Sequence, residues 1–176
     1  RGAGASSTPA KASSYAMARF ADDFAAVIAE LCPGQRVHVM AHDWGSAGMW
    51  EYVARPGAAD RVASFTSVSG PAADHFSRYV RDGLKQPYRP KRFSHALSQA
   101  GHLSYMAGFS VPVLAPALMR AGAKRMRPLL VRGIPAEKLH YGDTFVSDAA
   151  NGMNIYRANF FRSLGVKTRL SEYGID

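Results

Sequence analysis

The chain has 176 residues, 47% of them hydrophobic and 20% charged, a composition typical of a soluble globular protein large enough to bury a sizeable core. No run approaches the roughly 18 consecutive apolar residues of a membrane span, and the first residues do not form a secretory signal peptide. The single cysteine, Cys32, excludes an internal disulfide framework and favours a reducing compartment, so we expect a cytoplasmic protein.

The formal net charge of +9 comes entirely from the second part of the chain. Residues 1–70 hold six lysines and arginines against six acidic residues, whereas residues 71–176 hold sixteen against seven. This excess predicts a solvated basic surface, or one that meets acidic substrates or, at the membrane periphery, anionic lipid headgroups. It does not favour nucleic acid, because the aromatic residues fall within apolar segments and not between the basic ones.

The first part of the chain predicts a β-α-β unit. An amphipathic helix over residues 15–31 begins at an N-cap on Ser13 or Ser14, and a strand over 36–40 reads as buried within a parallel sheet. A second helix over 45–54 and a second strand over 61–69 follow. In such a unit, residue 43 lies at the carboxyl end of the first strand, where open α/β sheets place their ligands.

The strand-to-helix junction at residues 41–46 (AHDWGS) is the most informative motif. A small-x-Asp-x-Gly turn can present a nucleophile on a strained backbone, and Ala41 and Gly45 supply the small neighbours that such a turn needs. Asp43 occupies the central position, and a carboxylate there suits attack on an alkyl carbon, since water can open the resulting ester. The alternative is an ordinary junction in which Asp43 is only an N-cap.

After Gly70 the pattern becomes helical with frequent breaks, and no strand is predicted. The best helical stretches are 93–119, interrupted at Pro112 and Pro116, and 144–161. We therefore divide the chain into a partial α/β core (1–70), a helical lid (71–163) and a divergent tail (164–176).

Three segments resemble the epoxide hydrolase branch of the α/β-hydrolases: residues 1–6 (RGAGAS), the turn at 41–46, and residues 62–71 (VASFTSVSGP). The likeness extends to about Ser163. The chain resembles in particular the mycobacterial type of this branch, in which such a module is fused to a short-chain dehydrogenase. It implies a partial α/β-hydrolase fold, a central β-α-β with its nucleophile elbow, beneath a helical cap. It further implies that Asp43 is the nucleophile, that the backbone N–H of Trp44 is an oxyanion donor, and that Tyr105 and Tyr156 donate to the epoxide oxygen.

The resemblance also sets expectations for the reaction. The family's catalytic acid, its water-activating histidine and its second oxyanion loop are not found in this sequence, so we expect the isolated chain to be alkylated once without turning over. No cofactor is expected, and no metal site, because the histidines share no ligand spacing: His75, His95, His102 and His140. Six apolar residues of the predicted lid indicate an apolar epoxide as substrate, with a lipid-derived compound as one candidate. These residues are Phe109, Val111, Val113, Leu114, Leu118 and Met119.

Other interpretations remain open on sequence alone. Tyr105 and Tyr156 could each be core residues with a satisfied hydroxyl, and Trp50 and Phe65 read as core. His42 reads as a structural part of the turn. A haloalkane dehalogenase would use the same aspartate and a neighbouring tryptophan, and a non-catalytic lipid- or membrane-surface module would account for the basic second part.

Overall fold

The computed structural model describes residues 1–139 and 142–165, except for the side chains of residues 136 and 161–165. These residues form two compact units. The sheet unit is formed mainly by Ala16–His102, and the helical unit by Arg1–Tyr15 together with Leu103–Phe160. The sheet unit therefore continues past the predicted boundary at Gly70. That residues 71–163 act as a lid stays a prediction, and most of the predicted tail lies outside the described residues.

The sheet unit contains the predicted β-α-β arrangement. Its elements are α1 (Met17–Leu31), β1 (Val37–His42), α2 (Trp44–Val53), β2 (Val62–Val68), α3 (Ala73–Leu84) and α4 (Pro90–His102). The strands pair in parallel, with Val39 opposite Phe65 and His42 opposite Val68. Parallel pairing requires a crossover between the strands, and α2 provides it.

One face of the two-stranded sheet carries the core. Residues of α1, α2 and β2 pack together there, and alternate side chains of β1 lie against them: Ala21, Ile28, Met49, Tyr52, Ala58 and Val62, with Val37, Val39 and Ala41. The opposite face is open, since His38 and His42 are exposed and Met40 is 80% exposed. The predicted burial of this strand within a parallel sheet is therefore not found among the described residues, which leave this face uncovered.

Helix α1 begins later than the sequence predicted. Ser13 and Ser14 belong to a short 3-10 helix (Ala12–Tyr15), and the N-cap is Ala16, which makes no side-chain capping bond. The end of α1 is held by Arg61, whose Nη2 donates to the Ile28 and Cys32 carbonyls at 2.9 and 3.0 Å. Both carbonyls also accept a backbone N–H, Ile28 from Cys32 at 3.0 Å and Cys32 from Gln35 at 3.2 Å, so Arg61 adds a second hydrogen bond to each of them.

Asp22 on α1 is bonded by arginines on both sides. Arg55, just after α2, donates to its carboxylate at 2.9 Å, and Arg19 donates at 3.1 Å. The Arg55 hydrogen bond is the main reason that the pKa of Asp22 lies below its ordinary value, with desolvation opposing the shift. The ion pair between Asp22 and Arg55 thus connects α1 to the end of α2.

The helical unit contains α5 (Ser104–Phe109), α6 (Leu114–Leu130) and α7 (Phe145–Gly165), with a 3-10 turn at Ala136–Lys138. The predicted break at Pro112 is confirmed, but Pro116 lies in the first turn of α6, where proline is tolerated, and does not interrupt it. Beyond Pro71, the described part of the chain contains no strand, as predicted. Within it, no single helix is long and apolar enough to cross a membrane, although Pro90–Phe109 and Leu114–Leu130 meet that test as a bent pair.

Candidate active site

Asp43 lies between β1 and α2 in a backbone conformation that only a constrained turn would hold. Its φ and ψ are 50° and −123°, a positive φ that side-chain-bearing residues rarely adopt. Both of its backbone groups are bonded: the N–H donates to the Val68 carbonyl and the carbonyl accepts from the Ala47 N–H, each at 3.0 Å. Such strain costs about 1–3 kcal/mol and persists where the surroundings fix it. The backbone strain predicted for this turn is therefore present at Asp43, whereas its role as a nucleophile elbow stays a prediction.

The elbow is held by the carbonyl of Gly70, just past the end of β2. The hydroxyls of Ser46 and Ser67 lie 2.8 and 2.9 Å from this oxygen, and the indole N–H of Trp50 donates to it at 3.0 Å. The two serine hydroxyls are also 2.6 Å apart. Two hydroxyl protons cannot serve three contacts at once, so two of these three act as hydrogen bonds at any moment. We call Ser46, Ser67, Trp50 and Gly70 the elbow clasp.

Gly70 is a glycine because the elbow leaves it no room. A Cβ built there would fall against the backbone carbonyl of Asp43 and the Cβ of Ser46, closer than real Cβ atoms approach. At Gly45, by contrast, an added Cβ meets nothing within 4 Å. The close approach predicted for Gly45 therefore lies at Gly70, a position that the sequence marked only as the end of a strand.

The carboxylate of Asp43 is exposed and lies at the start of α2. A negative charge at a helix N-terminus is favoured by the helix dipole. Trp44 is the first residue of α2, so its backbone N–H lies at the same positive end. This placement suits the predicted oxyanion role, which stays a prediction.

Tyr105 and Tyr156 meet in the helical unit, although 50 residues separate them in sequence. Their ring centroids are 6.1 Å apart, and Phe109 packs edge-on against both, at 5.4 Å from Tyr105 and 5.1 Å from Tyr156. Tyr105 is 49% exposed, which contradicts the interpretation that it is a core residue. Phe109 was predicted only as part of an apolar lid. Its position one helical turn after Tyr105 was the signal for a closer role.

The N-terminal segment holds α7 in the same unit. Asp148 accepts bonds from the Gly4 N–H at 3.1 Å and from Thr144 at 2.9 Å, and Asn151 donates to the Gly2 carbonyl at 2.9 Å. Gly2 has a φ of 70°, and a Cβ there would lie 2.7 Å from the hydroxyl of Tyr15.

Further along α7, Asn159 donates to the Tyr15 carbonyl at 3.0 Å. The glycine-rich loop at residues 1–6 thus positions the helix that carries Tyr156.

The two halves of the predicted site belong to different units, with Asp43 and Trp44 in the sheet unit and the two tyrosines in the helical unit. Trp50 and Phe65 are half-buried and stack edge-to-face, with ring centroids 5.0 Å apart. Trp50 therefore packs against Phe65 and also donates a hydrogen bond within the elbow clasp. Among the described residues no cluster of three or more His, Cys, Asp or Glu side chains could hold a metal ion. His140 lies outside them.

A parallel β-α-β unit with a strained aspartate at the end of its first strand is the arrangement expected of an α/β-hydrolase. The chain belongs to the α/β-hydrolase fold family, whose model matches residues 1–165. It is 55% identical over 171 residues to proteins named "Probable oxidoreductase EphD" from Mycobacterium tuberculosis and Mycobacterium bovis, an alignment that covers 96% of this chain and 29% of theirs. The chain thus spans about three tenths of the length of these relatives. No solved structure matches it.

Proposed function

We propose that this chain carries the nucleophile and the acid groups of an epoxide-opening hydrolase. The observation that supports the proposal most directly is the backbone of Asp43, with φ 50° and ψ −123° at the end of a parallel strand. Strain of this kind is frequent at functional sites, although Ser69 and Val113 of this chain also have a positive φ. Membership of the α/β-hydrolase fold family supports the hydrolytic class.

In the proposed first step, a carboxylate oxygen of Asp43 attacks an epoxide carbon. A new C–O ester bond forms while the ring C–O bond breaks, and the electron pair of that bond goes to the ring oxygen. In the second step of such a reaction, water hydrolyses the ester, which releases a diol and restores the carboxylate. We expect the isolated chain to stop at the ester, because the family's water-activating histidine is not found in this sequence. The Trp44 N–H, at the positive end of α2, is proposed to stabilise the oxyanion formed in this second step.

Tyr105 and Tyr156 are the proposed proton donors to the ring oxygen. A phenol hydroxyl can donate its proton to a developing alkoxide. The two rings share the contact with Phe109, so both phenols belong to one aromatic cluster. The exposed apolar residues of the helical unit support an apolar epoxide, such as a lipid-derived one, as the substrate class.

The relatives are named as probable oxidoreductases. That name describes proteins of which this chain matches 29%, and we assign the hydrolytic step only to the matched region. Haloalkane dehalogenation is the second candidate, because it would use Asp43 with the adjacent Trp44. It would not need phenols, since a halide leaves without a proton, and the tyrosine cluster therefore favours the epoxide.

The test is covalent capture of Asp43. The protein is incubated with epoxyoctane, quenched in acid and digested, and the modified peptide is located by mass spectrometry. We expect one hydroxyalkyl ester on the peptide that contains Asp43, absent in Asp43→Asn and retained in Asp60→Asn, a matched exposed control. A label that persists in Asp43→Asn would overturn the proposal.

The tyrosines are tested by comparing two leaving groups. In the Tyr105→Phe/Tyr156→Phe protein we expect labelling by epoxyoctane to slow by about 100-fold or more, the usual scale of general acid catalysis, while labelling by bromooctane is unchanged. Equal slowing with both reagents would show that the rings only shape the site. Faster labelling of Asp43 by the bromide, with halide released, would favour the dehalogenase.

A further inference from the structure

Helix α6 exposes large apolar side chains to solvent, and its buried residues are both alanines. Leu114, Leu118 and Leu129 are 55%, 63% and 70% exposed, whereas Ala115 and Ala123 are buried. An amphipathic helix of a globular unit normally does the reverse. The three leucines follow one another at intervals of four and eleven residues, which places them along one stripe of the helix. A stripe of this kind marks a surface that meets an apolar partner.

The same helix is strongly basic. It carries Arg120, Lys124, Arg125 and Arg127, all exposed, and no acidic residue. Arg125 lies seven residues after Leu118 and four before Leu129, so it belongs to the leucine stripe itself. The surrounding sequence extends this bias, since residues 83–136 hold nine lysines and arginines and no aspartate or glutamate.

The composition of α6 identifies the chemistry of the partner. Its 17 residues include no aromatic side chain and no hydroxyl or amide, so it offers nothing to stack on bases or to specify hydrogen bonds. Leucines flanked by lysine and arginine suit an interface where hydrocarbon meets phosphate, because the long basic side chains reach the headgroups while the leucines enter the acyl boundary.

We propose that α6 is a docking surface for an anionic lipid bilayer. The leucine stripe formed by Leu114, Leu118 and Leu129 supplies the apolar contact, and the four basic residues supply the attraction to phosphate. Helix α6 carries none of the proposed catalytic residues, but Leu114 and Leu118 also belong to the apolar residues from which the substrate class is proposed, so vesicle binding and not epoxide labelling is the readout of this proposal.

The experiment is vesicle flotation with the 176-residue chain. Vesicles of phosphatidylcholine with phosphatidylglycerol are compared with phosphatidylcholine alone, at low and at high salt. We expect binding only to the anionic vesicles, weakened by salt because the attraction is screened. Lys124→Glu/Arg125→Glu should weaken binding by about 25-fold or more, since each basic residue near such a surface contributes about fivefold. The matched control, Lys85→Glu/Arg89→Glu, changes the net charge equally at exposed sites outside α6 and should lose no more than about threefold.

The leucines are tested separately. Leu118→Ser/Leu129→Ser should weaken binding by about tenfold or more while its salt dependence remains. A second measurement does not depend on these variants folding: an environment-sensitive dye on Leu118→Cys in a Cys32→Ser background should shift to the blue on anionic vesicles, and the same dye on native Cys32 should not.

Three results would overturn the proposal. Equal binding to neutral vesicles would remove the role of the basic residues. Equal losses in the two charge-reversed proteins would show that net charge, and not α6, controls binding. Self-association in sedimentation that Leu118→Ser/Leu129→Ser abolishes, without vesicle binding, would show that a second copy of the chain covers the stripe.

Discussion

Replacing Gly70 by alanine tests whether the elbow clasp holds Asp43 in place. The added Cβ would press on the carbonyl of Asp43 and on the Cβ of Ser46. Since one obstacle is backbone in a strained turn, it cannot move aside as a flexible side chain would. Overpacking of this kind costs about 1–3 kcal/mol, and we expect the upper end of that range, about 2–3 kcal/mol of unfolding free energy.

The assay is urea unfolding followed by tryptophan emission. The chain has two tryptophans, Trp44 and Trp50, and both lie in α2 beside the elbow, so their emission reports on the sheet unit. With a slope of about 2 kcal/mol per molar urea, the loss would lower the midpoint by about 1–1.5 M.

Two other glycines serve as controls for Gly70→Ala. Gly45 lies in the same elbow and Gly101 in α4, and a Cβ at either meets nothing within 4 Å. Since alanine is the better helix former, Gly45→Ala and Gly101→Ala should leave stability unchanged or raise it by up to about 1 kcal/mol. If Gly70→Ala unfolds within about 0.5 kcal/mol of the unmodified protein with the same slope, the clasp does not fix the turn.

The remaining predictions concern individual hydrogen bonds. Ser46→Ala and Ser67→Ala should each cost about 1 kcal/mol and the double variant about 2, because each removes one donated proton; a single variant as costly as the double would show that one hydroxyl depends on the other. Tyr15→Phe should raise stability by up to about 1 kcal/mol in thermal unfolding, since the Tyr15 hydroxyl is buried without a hydrogen-bond partner among the described residues, and a loss would reveal one. Asp22→Asn should cost about 0.5 kcal/mol or less at neutral pH, since the ion pair is partly exposed. Because the pKa of Asp22 is lowered in the folded protein, this cost is present in full above the ordinary value of 3.8 and disappears as the pH falls below it, so a cost that persists at low pH in urea unfolding would contradict the assignment.

The sequence predicted the β-α-β unit well because hydrophobic periodicity and turn residues are local signals. It placed the strand ends within one or two residues and located the strained turn at Asp43. It could not reveal the clasp, because Ser46 and Gly70 are 24 residues apart and meet only through the parallel pairing. The exposed face of β1 was missed for a related reason: a run of apolar residues does not show how many faces of a strand are covered.

The helical unit was harder to predict. The helix ends near Pro112 could be predicted, since proline lacks the backbone N–H donor and restricts the backbone conformation of the residue before it. The grouping of residues 1–15 with α7 was not, because Gly2 and Asn151 are 149 residues apart and their bond follows from tertiary packing. The meeting of Tyr105 with Tyr156 could be expected only by resemblance to a family, as periodicity alone left both as core candidates.

The backbone at Asp43 has one more consequence. Glycine adopts a positive φ with less strain than any other residue, so Asp43→Gly should make the protein more stable while it removes the only carboxylate at the turn. Under the proposed function, aspartate at this position represents a trade-off within a single residue: glycine there would raise thermal stability and remove the proposed nucleophile.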